Sequence, residues 1–66
     1  MENTIKIQRA IKNLTQEELA NLIGVSRQTI NSIENNRYIP STVLALKLSK
    51  VFGINVNDLF ELDDDD

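Results

Sequence analysis

Cysteine and histidine are both absent from this chain of 66 residues. Their absence excludes a disulfide framework, a zinc site, a catalytic thiol and a catalytic imidazole. No apolar run approaches the ~20 residues of a membrane span, and the N-terminus has no signal-peptide pattern. The sequence therefore predicts a cytoplasmic protein without a membrane segment, a metal, a cofactor or an evident small-molecule substrate.

Glycine and proline are scarce, and all three stand where a helix is predicted to end or begin: Gly24, Pro40 and Gly53. Between these breaks there is no alternation of apolar and polar residues typical of strands, and no internal repeat. A chain of this length makes one small domain, near the lower size at which an apolar core suffices for stability. The predicted fold class is all-α, a compact bundle of short helices.

The chain also lacks an excess of basic residues: seven bases stand against ten acids, so the formal net charge is −3. Residues 1–60 carry seven bases and five acids, a charge of +2, whereas residues 61–66 carry five acids and no base. The body is therefore mildly basic and the acidity is confined to the C-terminal end. Because four consecutive aspartates repel one another, we expect residues 63–66 to be a disordered, solubilising tail on a domain of residues 1–62.

The segment of residues 14–36 is the most informative part of the chain. Thr15 is a suitable N-cap, and Glu18 three residues later completes a capping box. An apolar face follows at helical spacing and consists of Leu19, Ala20 and Ile23. Gly24 then provides a residue that ends a helix in the left-handed conformation at no steric cost. These signals predict one short helix that ends in a tight turn.

A second short helix begins directly after that turn, with Ser26 as its N-cap and Ile30 and Ile33 facing inward. Its first turn contains Arg27, although a cation is unfavourable at the positive end of the helix dipole. A residue that opposes local preference indicates a function. Two short helices joined in this way form a helix-turn-helix, which places its second helix in the major groove of DNA.

The chain resembles the Cro/repressor-type (XRE) helix-turn-helix family. The resemblance is carried by LTQEELANLIGVSRQTINSIEN, by Ile5 and Arg9, and by four later segments: YIPS, LALK, VFGI and DLF. It covers about nine tenths of the sequence. It implies a lambda-repressor-like bundle of five helices and a sequence-specific regulator of transcription, usually a repressor. The expected partners are double-stranded operator DNA, as an inverted repeat, and a second copy of the chain.

The second helix of the motif supplies the predicted contacts to DNA. Arginine pairs with guanine, glutamine with adenine, and the threonine methyl group with thymine. The predicted base contacts are Arg27, Gln28, Thr29, Asn31 and Ser32. The resemblance implies that a second set follows the sugar-phosphate backbone: Gln16, Ser26, Asn35, Arg37 and Tyr38. For Arg27, Asn31 and Ser32 a phosphate is an alternative target. Two of the residues have an alternative role without DNA contact: Gln16 as a surface amide with no function, and Tyr38 as a residue that packs over the loop.

The first helix, predicted over residues 4–12, has two sides. The resemblance buries the side of Ile5 and Arg9, and it implies a structural ion pair between Arg9 and Glu34. An apolar stripe runs along the nearly opposite side and consists of Ile7, Ala10, Ile11 and Leu14. We therefore expect the first helix to be covered on both sides, by the body and by either the C-terminal helix or a partner subunit.

Two further helices are predicted after the motif. The fourth should begin at a Ser41 cap and run over residues 42–52, and a last short helix should run over residues 57–61 with Val56 or Asn57 as its cap. Asn13 and Asn36 replace the glycine that the family commonly has after a helix, so both should have positive φ. The expected core consists of Ile5, Leu14, Leu19, Ala20, Ile23, Val25, Ile30, Ile33, Leu44, Leu48, Val51, Phe52, Ile54 and Leu59. Phe60 is expected to be buried with Leu59, yet it is also a candidate for a dimer interface together with Leu62.

The main alternative to a DNA-binding regulator is an antitoxin or protein-interaction module of the same fold. Such a module has no need for Arg27 and Gln28 beside Gln16 and Arg37, although an antitoxin that regulates its own synthesis would keep them. An enzyme is not expected, because the chain has no Ser/His/Asp set, no metal-ligand cluster and no glycine-rich phosphate loop.

Overall fold

Five helices and one pair of very short strands make up the computed structural model, which describes residues 1–66. The elements in chain order are β1 (Glu2–Asn3), α1 (Ile5–Lys12), α2 (Gln16–Ile23), α3 (Arg27–Glu34), α4 (Thr42–Phe52), α5 (Val56–Leu59) and β2 (Phe60–Glu61). The predicted all-α bundle of five helices is confirmed, with the strand pair as a small addition. None of the helices combines the length and the apolar character needed to cross a membrane.

Local capping explains where α2 begins and ends. The backbone N–H of Glu18 donates to Thr15 Oγ1 at 3.0 Å, and the backbone N–H of Thr15 donates to Glu18 Oε1 at 2.9 Å. Both hydrogen bonds of the predicted capping box are therefore present. The bond from Thr15 lowers the pKa of the Glu18 carboxyl, because it favours the charged form. At the other end Gly24 is left-handed, with a φ of 75°.

The two asparagines predicted to have positive φ do so. Asn13 ends α1 with a φ of 55°, and Asn36 follows α3 with a φ of 59°. They are the only residues other than glycine with this conformation. Asparagine tolerates it better than most L-residues, so both helices end where the sequence indicates.

The strand pair and the end of α5 correct the sequence prediction. Asn3 pairs with Phe60, and Glu2 with Glu61, in an antiparallel arrangement that joins the two ends of the chain. Two-residue strands are too short to show alternation of apolar and polar residues, so no sequence pattern indicates them. The last helix was predicted over residues 57–61, but α5 begins after Asn55 and stops at Leu59, because Phe60 and Glu61 are extended to pair with β1.

The core lies between the helices and contains ten buried residues: Ile5, Leu19, Ala20, Ile23, Ile30, Ile33, Leu48, Phe52, Leu59 and Phe60. Nine of them are in the predicted core, and the other five predicted members are partly buried and pack against it: Leu14, Val25, Leu44, Val51 and Ile54. The burial of Phe60 means that the prediction of this residue as an interface group was wrong. Leu62, by contrast, is exposed.

Only one side of α1 is covered. Ile5 is fully buried, whereas Ile7 and Ile11 on the other side are 60% and 68% exposed. The expectation that the C-terminal helix covers this stripe was wrong, since α5 and β2 pack elsewhere. The side of α1 that carries Ile7 and Ile11 is open in the single chain.

The acidic residues at the C-terminus lie beside the N-terminus. The Met1 ammonium is 2.8 Å from Asp63 Oδ2 and 3.0 Å from Asp66 Oδ2. Hydrogen bonds to these carboxylates, first to Asp63, raise the pKa of the Met1 ammonium. The division into a domain of residues 1–62 and a disordered tail stays a prediction. In the structure residues 63–66 form a turn, and the contacts of Asp63 and Asp66 with Met1 place this turn next to β1.

Candidate nucleic-acid interface

The first turn of α3 directs its side chains outward. Ser26 Oγ accepts a hydrogen bond from the backbone N–H of Thr29 at 3.2 Å and also lies 3.0 Å from Thr29 Oγ1. The hydroxyl of Ser26, predicted to contact a phosphate, is thus engaged in capping the helix. Arg27 and Gln28 are exposed, and neither makes a hydrogen bond within the chain through its side chain. Their donors and acceptors are free for a ligand.

A concave surface, which encloses a volume of about 290 Å³, lies between the exposed side of α3 and the loop that follows it. It is lined by Gln28, Thr29, Ser32, Arg37 and Tyr38. The structure therefore brings three of the predicted base contacts and two of the predicted backbone contacts to one surface. Arg27 is not part of this lining, although it is adjacent in sequence and exposed.

The second turn of α3 is more enclosed than the first. Asn31 and Ser32 are half-buried. The Asn35 side chain donates back to the Asn31 backbone oxygen at 2.9 Å and to Asn31 Oδ1 at 3.3 Å. Contact of Asn31 or Asn35 with DNA would therefore compete with an existing hydrogen bond.

The end of α3 sets the direction of the loop that lines the concave surface. The backbone N–H of Asn36 donates to the oxygen of Ile33 at 3.1 Å, and that of Arg37 donates to the oxygen of Ser32 at 2.9 Å. Together with the left-handed Asn36, these bonds form a Schellman motif. Arg37 and Tyr38 consequently leave the helix in a defined direction, and both are exposed.

Arg9, Glu34 and Gln16 form one network behind α3. Arg9 Nε donates to Glu34 Oε2 at 2.6 Å, and Arg9 Nη2 donates to Glu34 Oε1 at 3.2 Å. Arg9 Nη1 donates to the Leu14 oxygen at 2.9 Å. The side chains of Arg9 and Glu34 are only 15% and 5% exposed, so they form a largely buried bidentate pair.

Gln16 joins this network, which the sequence did not indicate. Its Nε2 donates to Glu34 Oε1 at 3.0 Å, so the interpretation as an idle surface amide does not hold. One N–H of the amide remains free to donate to a phosphate oxygen. The predicted contact is therefore still compatible with this position, and Gln16 connects it to the end of α3.

Asn3 is a residue near the interface that sequence reasoning missed. Its side chain contacts Ile33 and Asn36 at the end of α3, which are 30 and 33 positions away in sequence. No local pattern marks such a contact. Only the presence of asparagine, instead of a better helix or strand former, could have drawn attention to it.

Comparison with known proteins agrees with this geometry. The sequence profile described as helix-turn-helix matches residues 5–59. An uncharacterized HTH-type transcriptional regulator of Methanocaldococcus jannaschii is 52% identical over 66 residues and is matched over 100% of both chains. YgzD, an uncharacterized HTH-type transcriptional regulator of Bacillus subtilis, is 42% identical over 98% of both chains.

Solved structures share the fold. The restriction-modification controller protein C.AhdI of Aeromonas hydrophila has a TM-score of 0.77 and 34% identity, over 85% of both chains. The SOS-response transcriptional repressor LexA of Eubacterium rectale has a TM-score of 0.81 and 34% identity, over 92% of this chain and 65% of that one. Together with the outward first turn of α3 and the concave surface beside it, these matches show that the chain belongs to the XRE-type helix-turn-helix family of DNA-binding transcriptional regulators.

Proposed function

We propose that this protein is a sequence-specific transcriptional repressor that inserts α3 into the major groove of operator DNA as a homodimer. The observation that carries the proposal is the surface shared by Gln28, Thr29, Ser32, Arg37 and Tyr38. It combines side chains that suit base edges with an arginine and a tyrosine that suit phosphates. The protein would act in the cytoplasm, on the nucleoid.

The contacts divide into reading and positioning. Arg27 and Gln28 are exposed in the first turn of α3, where residues of a recognition helix reach base edges. Gln28 would bond to adenine N6 and N7, and Arg27 to guanine or a phosphate. Arg37 and Tyr38 would follow the sugar-phosphate backbone. These backbone contacts fix the position of the protein on DNA without carrying sequence information.

Two substitutions distinguish these roles. Gln28→Ala should cost roughly 1–3 kcal/mol on the preferred site and relax the preference at one base pair in each half-site. Arg37→Ala should weaken binding to all sequences alike and reduce the slope of log K against log salt by about one. Lys50→Ala is the matched control for Arg37→Ala, because it removes one positive charge in the last turn of α4, away from the concave surface. Titrations of labelled duplexes at several salt concentrations measure both effects, and an unchanged sequence preference in Gln28→Ala would contradict the reading role.

A homodimer requires an apolar surface outside the core. Ile39, Val43 and Leu46 are 65%, 61% and 57% exposed, and Val43 and Leu46 lie one turn apart on α4. This surface, the α4 stripe, begins one residue after Tyr38. A two-fold axis through the α4 stripe would therefore bring two copies of the α3–α4 loop side by side, with both recognition helices towards one face of the DNA.

Sedimentation tests this interface. The double variant Val43→Gln and Leu46→Gln should weaken dimerisation at least tenfold, because each apolar side chain loses its burial. The control is Ile7→Gln with Ile11→Gln, which alters an equally exposed apolar stripe on α1 without changing charge. If only the α1 variant dissociates into monomers, the dimer interface lies on α1 and not on the α4 stripe. A protein that stays monomeric with and without DNA would instead favour the antitoxin or interaction-module hypothesis, in which the exposed apolar residues serve another protein.

A further inference from the structure

Asn36 occupies a position for which glycine is the better residue by conformation alone. Its φ is 59°, which glycine adopts without a steric cost. The asparagine side chain is, however, bound at both of its polar atoms. Asn3 Nδ2 donates to Asn36 Oδ1 at 3.1 Å, and Asn36 Nδ2 donates to Glu2 Oε2 at 3.0 Å. The amide of Asn36 thus attaches the end of α3 to strand β1.

The side chain of Asn3 likewise connects strand β1 with the end of α3. Its Nδ2 also donates to the Ile33 oxygen at 2.8 Å, and its Oδ1 accepts from the backbone N–H of Ile5 at 3.1 Å. Ile33 belongs to the last turn of α3, and its oxygen also accepts a hydrogen bond from the backbone N–H of Asn36 at 3.1 Å. One half-buried side chain therefore connects the start of α1 with the end of α3.

The strand that carries Asn3 is itself fixed to the body of the protein. Asn3 pairs with Phe60, which is buried, and the backbone N–H of Thr4 donates to the Leu59 oxygen at 3.0 Å. Thr4 Oγ1 adds a bond to the Asp58 oxygen at 3.3 Å. The attachment of Asn36 therefore ends on an anchored strand instead of a loose terminus.

We propose that Asn3 and Asn36 are positioning residues for DNA binding, whose paired amides hold the end of α3 so that Arg37 and Tyr38 meet the phosphate backbone in an ordered loop. This inference rests on the proposed function, in which Arg37 and Tyr38 contact the backbone. A loop that is ordered before binding loses less conformational entropy on association. The pair would therefore raise affinity without touching a base.

Asn36→Gly separates this role from a purely structural one. Glycine retains the left-handed conformation, so the variant should fold with a thermal midpoint equal to or above that of the wild type. It loses both side-chain bonds, so DNA affinity should fall roughly 3- to 10-fold, the effect expected for ordering one or two side chains. The salt slope should fall as well, while the preferred base sequence stays the same.

Asn13→Gly is the matched control. Asn13 has the same left-handed conformation at the end of α1, but its side chain makes no hydrogen bond within the chain. This control should show the stability effect of glycine and leave DNA affinity unchanged. Asn3→Ala should lower affinity as Asn36→Gly does, and the two together should lose little more than either alone, because they remove one shared bond.

Duplex titrations and amide hydrogen exchange test the proposal on the full chain. We expect faster exchange at the amides of residues 37 and 38 in Asn36→Gly than in the wild type or Asn13→Gly. If the wild type binds DNA and Asn36→Gly binds with the same affinity and salt slope, the positioning role is overturned and the proposed function stands. If the wild type binds no duplex at all, the proposed function fails, and the positioning role fails with it.

Discussion

Replacing Arg9 with methionine should destabilise the protein strongly, because it removes the charged partner of a largely buried carboxylate. Glu34 is 5% exposed and receives three side-chain hydrogen bonds, two from Arg9 and one from Gln16. Methionine retains an unbranched stem but removes the guanidinium group, and with it both bonds to Glu34 and the bond to the Leu14 oxygen. The Glu34 carboxylate would then remain largely buried, with only the amide of Gln16 as a partner.

The size of the effect follows from this geometry. Breaking a buried ion pair by removing one partner costs about 3–5 kcal/mol. Because Arg9 is 15% exposed and Gln16 still donates to Glu34, we expect a loss of about 2–4 kcal/mol. A domain of this length has a free energy of unfolding of about 3–10 kcal/mol in total. The variant should therefore lose a large fraction of its stability.

Urea unfolding followed by far-UV circular dichroism measures this loss. Gln16→Ala is the first control, and it should cost only about 0.5–1.5 kcal/mol because it removes one hydrogen bond. The double variant Arg9→Met and Glu34→Met is the second control, and it should recover much of the loss because no charge stays buried. An Arg9→Met protein within about 0.5 kcal/mol of the wild type would show that the pair contributes no more than an exposed ion pair does.

Two further predictions concern the capping box of α2 and the acidic residues at the C-terminus. The pKa of Glu18 is lowered in the folded protein, so its contribution to stability is present above the unfolded pKa of about 4.3 and is lost as the pH falls through the folded value. The difference in thermal midpoint between wild type and Glu18→Gln should therefore be largest above about pH 5 and shrink in acid, and a pH-independent difference would contradict it. Truncation after Leu62 should raise DNA affinity at low salt, most of all for non-specific sequences, because it removes the carboxylates beside Met1, which lies near the α3–α4 loop. The gain should shrink above physiological salt, where the Debye length falls below ~8 Å, and equal affinities at low salt would leave the tail as a solubiliser.

Helix ends could be predicted from the sequence because their signals are local. Thr15 and Glu18 form a capping box within four residues. The positive φ of Asn13 and Asn36 was expected from the resemblance, because both stand where the family commonly has glycine. The buried positions could be predicted from helical spacing, which is also a local signal. Where the pattern was ambiguous, on the two sides of α1, the sequence could not tell which side the rest of the chain covers.

Contacts between distant residues could not be predicted from local patterns, and the pair of Arg9 and Glu34 was expected only because of the resemblance to the family. The pairing of Asn3 with Phe60 joins residues at opposite ends of the chain through strands of two residues, which leave no periodic pattern. The bond from Gln16 to Glu34 and the two bonds from Asn3 to the end of α3 likewise depend on how helices pack. For the candidate interface, the sequence supplied the residue types, whereas the structure supplied their grouping on one surface.

Selection of bound fragments from random duplex DNA is the most direct test of whether α3 reads operator DNA. We expect the wild-type protein to enrich an inverted repeat with half-sites centred about one helical turn, ~34 Å, apart. In the same selection Gln28→Ala should enrich a repeat of the same spacing with one base pair relaxed in each half-site. Enrichment of no sequence by the wild type, or of an identical consensus by Gln28→Ala, would contradict the placement of α3 in the major groove.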